Sequence, residues 1–247
     1  MVYVVRYALI ALYTVFWGIP ACLVGPFDRR GRIICWIGRQ WITWILRTCG
    51  IRVECEGVEN VDPHRPQVIM TNHQSVVDVG AIVTTVPVDF RFVAKKELAW
   101  VPFFGWALAL SIGVMVDRGN RRRAVESLRR AAEKIRSGAN VIIFPEGTRS
   151  LTGELQAFKS GGFHLALQAQ VPILPVTVSG SQRITPKHSF RVESGTVKIV
   201  YGKPIPTEGL GIDDRQALKE RVRAAILQGY DWDFQERPAA ERSHPAA

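Results

Sequence analysis

Residues 67–78 read QVIMTNHQSVVD. An apolar, β-prone run from Gln67 to Thr71 passes directly into a polar turn, and Ser75 with Asp78 fits the S-x-x-D signature of a helix that starts at about Ser75. A strand handing over to a helix is the repeating unit of an α/β layered domain. The surrounding sequence repeats it. Ile51 to Glu56, Phe90 to Ala94, Ile112 to Asp117, Val141 to Phe144, Ile173 to Val178 and Thr196 to Tyr201 are further runs rich in Val, Ile and Phe, bounded by turn residues, and read as strands. Arg121 to Arg136 sets Ala124, Val125, Leu128, Ala131, Ala132 and Ile135 on one helical face opposite a basic one, and Gly138 stands where a C-terminal cap belongs. The expected fold is α/β, a mixed sheet flanked by helices, although the same alternation also fits a wholly parallel sheet. Pro172 and Pro175 flank an Ile-Leu pair, which points to an edge or bulge position for that strand.

Upstream of Gly50 the character changes. Tyr7 to Phe27 carries no charge and is about long enough for a helix to cross a bilayer, but Gly18 and Pro20 interrupt it, so a kinked span and a helix that dips into one leaflet both fit. Arg29, Arg30 and Arg32 follow, which puts that end on the cytoplasmic side. Ile33 to Cys49 is a second apolar piece, with Trp36, Trp41 and Trp44 suited to the headgroup level. The uncharged run is too long for a signal-peptide core and lacks a small-residue cleavage site. Three regions are therefore expected: residues 1–50 as membrane-anchoring helices, 51–231 as a catalytic domain, and 232–247 as a polar, disordered tail. The net charge of +10 over 247 residues calls for an anionic partner such as anionic lipid or a phosphorylated substrate. Nucleic acid is disfavoured, because the basic residues form no recognised binding motif. Cys22, Cys35, Cys49 and Cys55 form no CxxC pair and read as inert, reduced core or membrane residues. Five histidines without HExxH give no metal site, and no bound cofactor is expected.

The chemistry concentrates in two turns. His73 follows a strand directly, where a side chain can reach a ligand. Removing a proton from an attacking alcohol near neutral pH suits imidazole, and a carboxylate on its other nitrogen would fix the tautomer. Asp78 can meet His73 only if the helix begins after the histidine, since five residues within one helix point about 140° apart. It fits a plain capping role as well. The chain has no G-x-S-x-G elbow to suggest an acyl-serine. The second turn is FPEGTRS, residues 144–150, in which Gly147 allows a close backbone approach and Arg149 offers a two-pronged hydrogen bond to phosphate. A surface ion pair between Glu146 and Arg149 fits the same spacing.

With these blocks in view the chain resembles the glycerophospholipid acyltransferase family, most of all its 1-acylglycerol-3-phosphate (lysophosphatidate) acyltransferases. NHQSVVD from Asn72, GVMVDR from Gly113, FPEGTRS from Phe144 and VPILPV from Val171 match the family's four blocks in order, and AKKEL from Ala94, PFFGW from Pro102 and FKSGGF from Phe158 agree with it. Met115-Val116 stand where Phe-Ile is more usual. The resemblance implies His73 as general base and Asp78 as its orienting partner. It also implies Arg118, Glu146, Gly147, Thr148 and Arg149 around a glycerol phosphate head, with Lys95 and Lys159 adding positive charge. PFFGWALALSIG is apolar enough for an acyl-chain wall and equally for plain core. The implied reaction carries a fatty acyl group from acyl-CoA or acyl carrier protein to the sn-2 hydroxyl of a lysophospholipid acceptor. The expected site is a phospholipid membrane, on the cytoplasmic face of the inner membrane. The same blocks fit glycerol 3-phosphate or a lyso-ornithine lipid as acceptor, and the basic helix with the apolar N-terminus also fits a non-catalytic binder of anionic lipid.

Overall fold

The computed structural model describes residues 2–28, 30–109, 113–116 and 121–234. Helices α1 (Val2–Val24) and α2 (Arg32–Cys49) lead into strand β1 (Ile51–Glu56). After β2 (Val68–Thr71) come α3 (Val77–Thr85), β3 (Phe90–Lys95), a short α4 (Phe104–Ala107), β4 (Gly113–Val116) and α5 (Arg121–Arg136). The chain then runs through β5 (Asn140–Ile143), α6 (Gly161–Ala169), β6 (Ile173–Ser179), α7 (Ser181–Ile184), β7 (Gly195–Tyr201) and α8 (Arg215–Gln228). All seven expected strands form. They join one sheet in the order β1-β7-β6-β2-β5-β3-β4, parallel throughout except where β6 meets β7. The sheet is therefore mixed.

Strand alternation divides the core between the two faces of the sheet. Ile69, Ile142 and Leu174 point to the face covered by α2 and α3. Val68, Met70, Val141, Ile143 and Ile173 point to the face covered by α5, α6 and α8. The central strand β2 is buried from end to end, which holds the turn that follows it on a rigid base.

Five expectations change. The strand with the two prolines is central and wholly buried, not an edge. Pro175 is tolerated because its ring meets Gly202, just past the end of β7, and its carbonyl accepts the Gly202 amide at 2.9 Å. Helix α1 runs on through Pro20 without a break, and Gly18 serves instead as a close-packing point, since a Cβ there would lie 2.5 Å from Phe103 Cβ. The boundary after Gly50 is no boundary in packing: Ile34, Cys35, Ile37, Leu46 and Cys49 of α2 share one continuous core with α3, β2 and β6. Burying a side chain such as Ile34, Ile37 or Leu46 contributes about 1.5–3 kcal/mol, so together the three rival a typical domain's whole margin of about 5–15 kcal/mol. Finally, ordered packing continues past residue 231: the Asp231 amide donates to Ser179 Oγ at 3.0 Å and Phe234 is buried, while residues 235–247 lie outside the described residues. Of the cysteines, Cys35 and Cys49 are buried as expected, but Cys55 is exposed on the edge strand β1.

Candidate active site

β2 and β5 are adjacent and parallel, so the turns after them leave the sheet side by side. The C-terminal ends of parallel strands are where α/β sheets bind ligands. At the end of β2 the Asn72 side chain pairs with the backbone of Val178 on both sides, donating to its carbonyl and accepting its amide, each at 2.8 Å. A side-chain amide thus extends the sheet where the backbone turns away.

His73 is held at every handle but one. Its amide donates to Glu146 Oε1 at 2.7 Å, and its carbonyl accepts the Ser150 amide at 2.7 Å. The ring lies against Phe144, centroids 4.0 Å apart, and Nδ1 meets Asp78 Oδ2 at 2.9 Å. A carboxylate only accepts, so Nδ1 carries the proton in that bond and the neutral ring keeps its lone pair on Nε2. That leaves Nε2 for the pocket the ring lines.

Asp78 is fully buried. The same oxygen, Oδ2, also accepts the amides of Gln74 at 2.6 Å and Ser75 at 2.8 Å, while the Val77 amide donates to Ser75 Oγ at 3.3 Å. Helix α3 begins at Val77, two residues later than expected. Capping and orienting the histidine are thus one arrangement.

The second turn is closed by Gly147 at φ 73°, a left-handed conformation that glycine adopts freely. Glu146 does not pair with Arg149. It is buried, its Oε1 holding the His73 amide and its Oε2 the Gln156 amide at 2.9 Å, and burial raises its pKa against the lowering effect of those two bonds. Both carboxylate oxygens are thus engaged within the protein. Thr148 is exposed, and Arg149 is half-buried with no ion pair to any carboxylate among the described residues. Lys159 is exposed, with its side chain over Gly147, where an added Cβ would meet Nζ at 2.9 Å. Lys95 closes β3. Arg118 lies outside the described residues.

Gly147, Thr148, Arg149 and His73 form the polar end of a cavity of about 380 Å³. Its remaining wall is almost wholly apolar: Trp17 and Ala21 of α1, Ile37 and Trp41 of α2, then Phe103 and Leu108 from the PFFGWALALSIG stretch. Residues 52–179 match the acyltransferase family. The chain belongs to that family. This acyltransferase is 36% identical over 219 residues to 1-acyl-sn-glycerol-3-phosphate acyltransferase alpha of Homo sapiens, an alignment covering 87% of this chain and 76% of that one. It is 34% identical over 230 residues to 1-acyl-sn-glycerol-3-phosphate acyltransferase of Pseudomonas aeruginosa, covering 91% and 88%. The crystal structure of the 1-acyl-sn-glycerophosphate (LPA) acyltransferase PlsC from Thermotoga maritima superposes with a TM-score of 0.79 at 27% identity, covering 100% of this chain and 97% of that one.

Three features of this acyltransferase's site escape a reading of motifs. Phe144 opens the third block, and its position beside a histidine ring depends on the register of two parallel strands. Trp17, Ile37 and Trp41 come from helices that sequence character assigns to anchoring alone. Tyr230, close to the C-terminus, donates its hydroxyl to the Gly153 carbonyl, which also accepts Gln74 Nε2 at 2.7 Å; burial raises the phenol's pKa. No local pattern shows the place that each takes in the site.

Proposed function

We propose that this protein acylates 1-acylglycerol 3-phosphate at its sn-2 hydroxyl, forming phosphatidate, with a fatty acyl thioester of coenzyme A or acyl carrier protein as donor. The observation that carries the reading is the His73–Asp78 pair at the meeting point of an apolar cavity and an arginine without a carboxylate partner among the described residues. The donor's acyl chain enters the cavity, which brings its thioester carbonyl to His73. The acceptor's phosphate meets Arg149, whose fork suits phosphate oxygens. His73 Nε2 removes the proton from the hydroxyl as its oxygen attacks the carbonyl carbon, and Asp78 stabilises the imidazolium through Nδ1. Collapse of the tetrahedral intermediate breaks the carbon–sulfur bond, and the departing thiolate takes the proton from Nε2. No acyl-enzyme forms. Glu146 acts on the reaction through the backbone of His73, as a positioning residue. Arg118 and Lys95 add positive charge by their family blocks.

Membrane association is supported by α1, the one described helix long and apolar enough to cross a bilayer, with Leu12, Phe16, Ile19 and Leu23 exposed. It is tied to the rest of the fold at both ends: Tyr7 Oη donates to the Phe190 carbonyl at 3.1 Å, and Cys22 Sγ to the Phe103 carbonyl at 3.7 Å. Fastening near both ends supports a helix that lies against the body and turns its free face to one leaflet. Acyl donors dissolved in the cytosol and the arginines after α1 favour the cytoplasmic face of the inner membrane. The test is acyl transfer by purified protein from labelled acyl-CoA or acyl carrier protein to a panel of lysolipids. Lysophosphatidate should be the preferred acceptor; preference for glycerol 3-phosphate or a lyso-ornithine lipid, or no transfer at all, would overturn the reading.

A further inference from the structure

We propose that Lys187 is a third cation of the acceptor site, binding the phosphate monoester of the lysolipid beside Arg149 and Lys159, from a loop that helix α1 holds in place. This rests on the assignment of the turn at residues 147–149 to phosphate. Lys187 lies outside the span that matches the family. The fold nevertheless brings it onto that turn: its Nζ donates to the Arg149 carbonyl at 2.8 Å and approaches Thr148 Oγ1 at 3.3 Å. With Lys159 lying over Gly147 and Arg149 on the cavity wall, three cations gather around three consecutive residues. None of the three forms an ion pair with an Asp or Glu among the described residues. Like charges gathered in this way repel one another, and a bound dianion offsets that repulsion.

The loop is built to keep Lys187 there. At its start the Thr185 carbonyl accepts Ser75 Oγ at 2.8 Å, which ties it to the block that carries His73. At its end the Glu193 amide donates to the Ile184 carbonyl at 2.9 Å and closes the loop on itself. Between these points α1 grips it three times, through Tyr7 on the Phe190 carbonyl, Arg6 on the Val192 carbonyl and Tyr3 on the Glu193 carboxylate. Phe190, three residues after Lys187, is 85% exposed. An exposed aromatic beside basic residues and an apolar helix suits the headgroup level of a bilayer, where a lysolipid presents its phosphate.

A phosphate monoester also occurs on coenzyme A, so the experiment must separate the two sources. In full-length protein, Lys187→Ala, Lys187→Gln and Lys187→Arg are assayed with lysophosphatidate varied at saturating acyl-CoA, then with acyl-pantetheine, a donor without nucleotide phosphates. Loss of a charge-assisted hydrogen bond should raise the acceptor KM about tenfold in the Ala and Gln variants with kcat nearly unchanged, and Arg should recover most of the loss. The same rise should persist with acyl-pantetheine. An unchanged acceptor KM overturns the proposal. So does a fall in kcat alone that Gln repairs, which would make Lys187 a brace for the Arg149 carbonyl, and so does a defect confined to the KM for acyl-CoA. Arg149→Lys, run in parallel, isolates the underlying assignment. If only the Arg149 variant responds, Lys187 alone is excluded; if neither responds, the turn is not a phosphate site.

Discussion

The turns after β2 and β5 leave neighbouring parallel strands at the same end of the sheet, yet they use their polar groups in opposite directions. In the first, Asn72, Asp78 and the backbone of His73 bond inward to buried partners, and only one ring nitrogen faces the cavity. In the second, Phe144, Glu146 and Ser150 turn inward to the first, while Thr148 and Arg149 line the cavity, and Arg149 has no carboxylate partner among the described residues. A base that must meet a hydroxyl at one geometry gains from being over-determined, because catalysis depends steeply on placement. A site for a mobile lipid headgroup gains from cations that have not yet been paired. The difference teaches that two motifs of similar strength in sequence serve rigidity in one case and recognition in the other.

The largest expected effect tests the rigid side. His73→Ala should lower kcat by about a hundredfold to ten-thousandfold, the usual worth of a general base, with the unfolding midpoint little changed. A folded variant of near-normal rate would remove His73 from the chemistry. Asp78 comes next. Asp78→Asn keeps the shape of the residue and can keep one accepting oxygen, but loses the charge that stabilises the imidazolium, so kcat should fall with only modest loss of stability. Asp78→Ala should cost both activity and stability, since the amides of Gln74 and Ser75 would be left buried without an acceptor. Full activity in the Asn variant would reduce Asp78 to a cap.

Much of this contrast is legible from the sequence, and the reason is local. The strands announce themselves through β-branched runs, and the turns after them through residue types with few other uses. What stays hidden depends on partners far along the chain. The spacing of Glu146 reads as a surface ion pair with Arg149 and the family resemblance sets it around the headgroup, whereas the fold sets it under His73, 73 positions away. Helix α2 reads as an anchor because tryptophans and isoleucines suit lipid and core alike; only the packing of Ile37 and Leu46 separates the two. Pro175 reads as an edge marker because the sequence does not show that β7 stops one residue short of it.

The open side is tested by Arg149→Lys, whose effect should be smaller than the loss of the base. The charge survives and the planar fork does not, so the acceptor KM should rise about tenfold, with kcat falling as well if the guanidinium also aligns the hydroxyl. Steady-state kinetics with acceptor varied at saturating donor separate the two effects. A defect confined to the donor KM would move Arg149 to the other substrate and weaken the comparison.

The smallest effect probes Glu146, the carboxylate of the second turn that serves the first. If it only positions His73, Glu146→Gln should lower kcat and leave the acceptor KM unchanged, the reverse of the pattern at Arg149. Its ionisation gives an independent reading. Burial raises the folded pKa of Glu146 above its unfolded value, so the folded state holds this proton more tightly. By linkage, the stability this group contributes is fully present below the unfolded pKa, about 4.3, and is lost as pH rises through the raised folded value. The unfolding free energy of wild type minus that of Glu146→Gln should therefore fall as pH rises from below about 4.3 through the raised folded pKa. Denaturant unfolding of both proteins across that range measures it, and a difference that grows with pH would mean that the carboxylate is stabilised in its charged form. In that event the amides of His73 and Gln156, which favour the charged form, would outweigh burial at this residue.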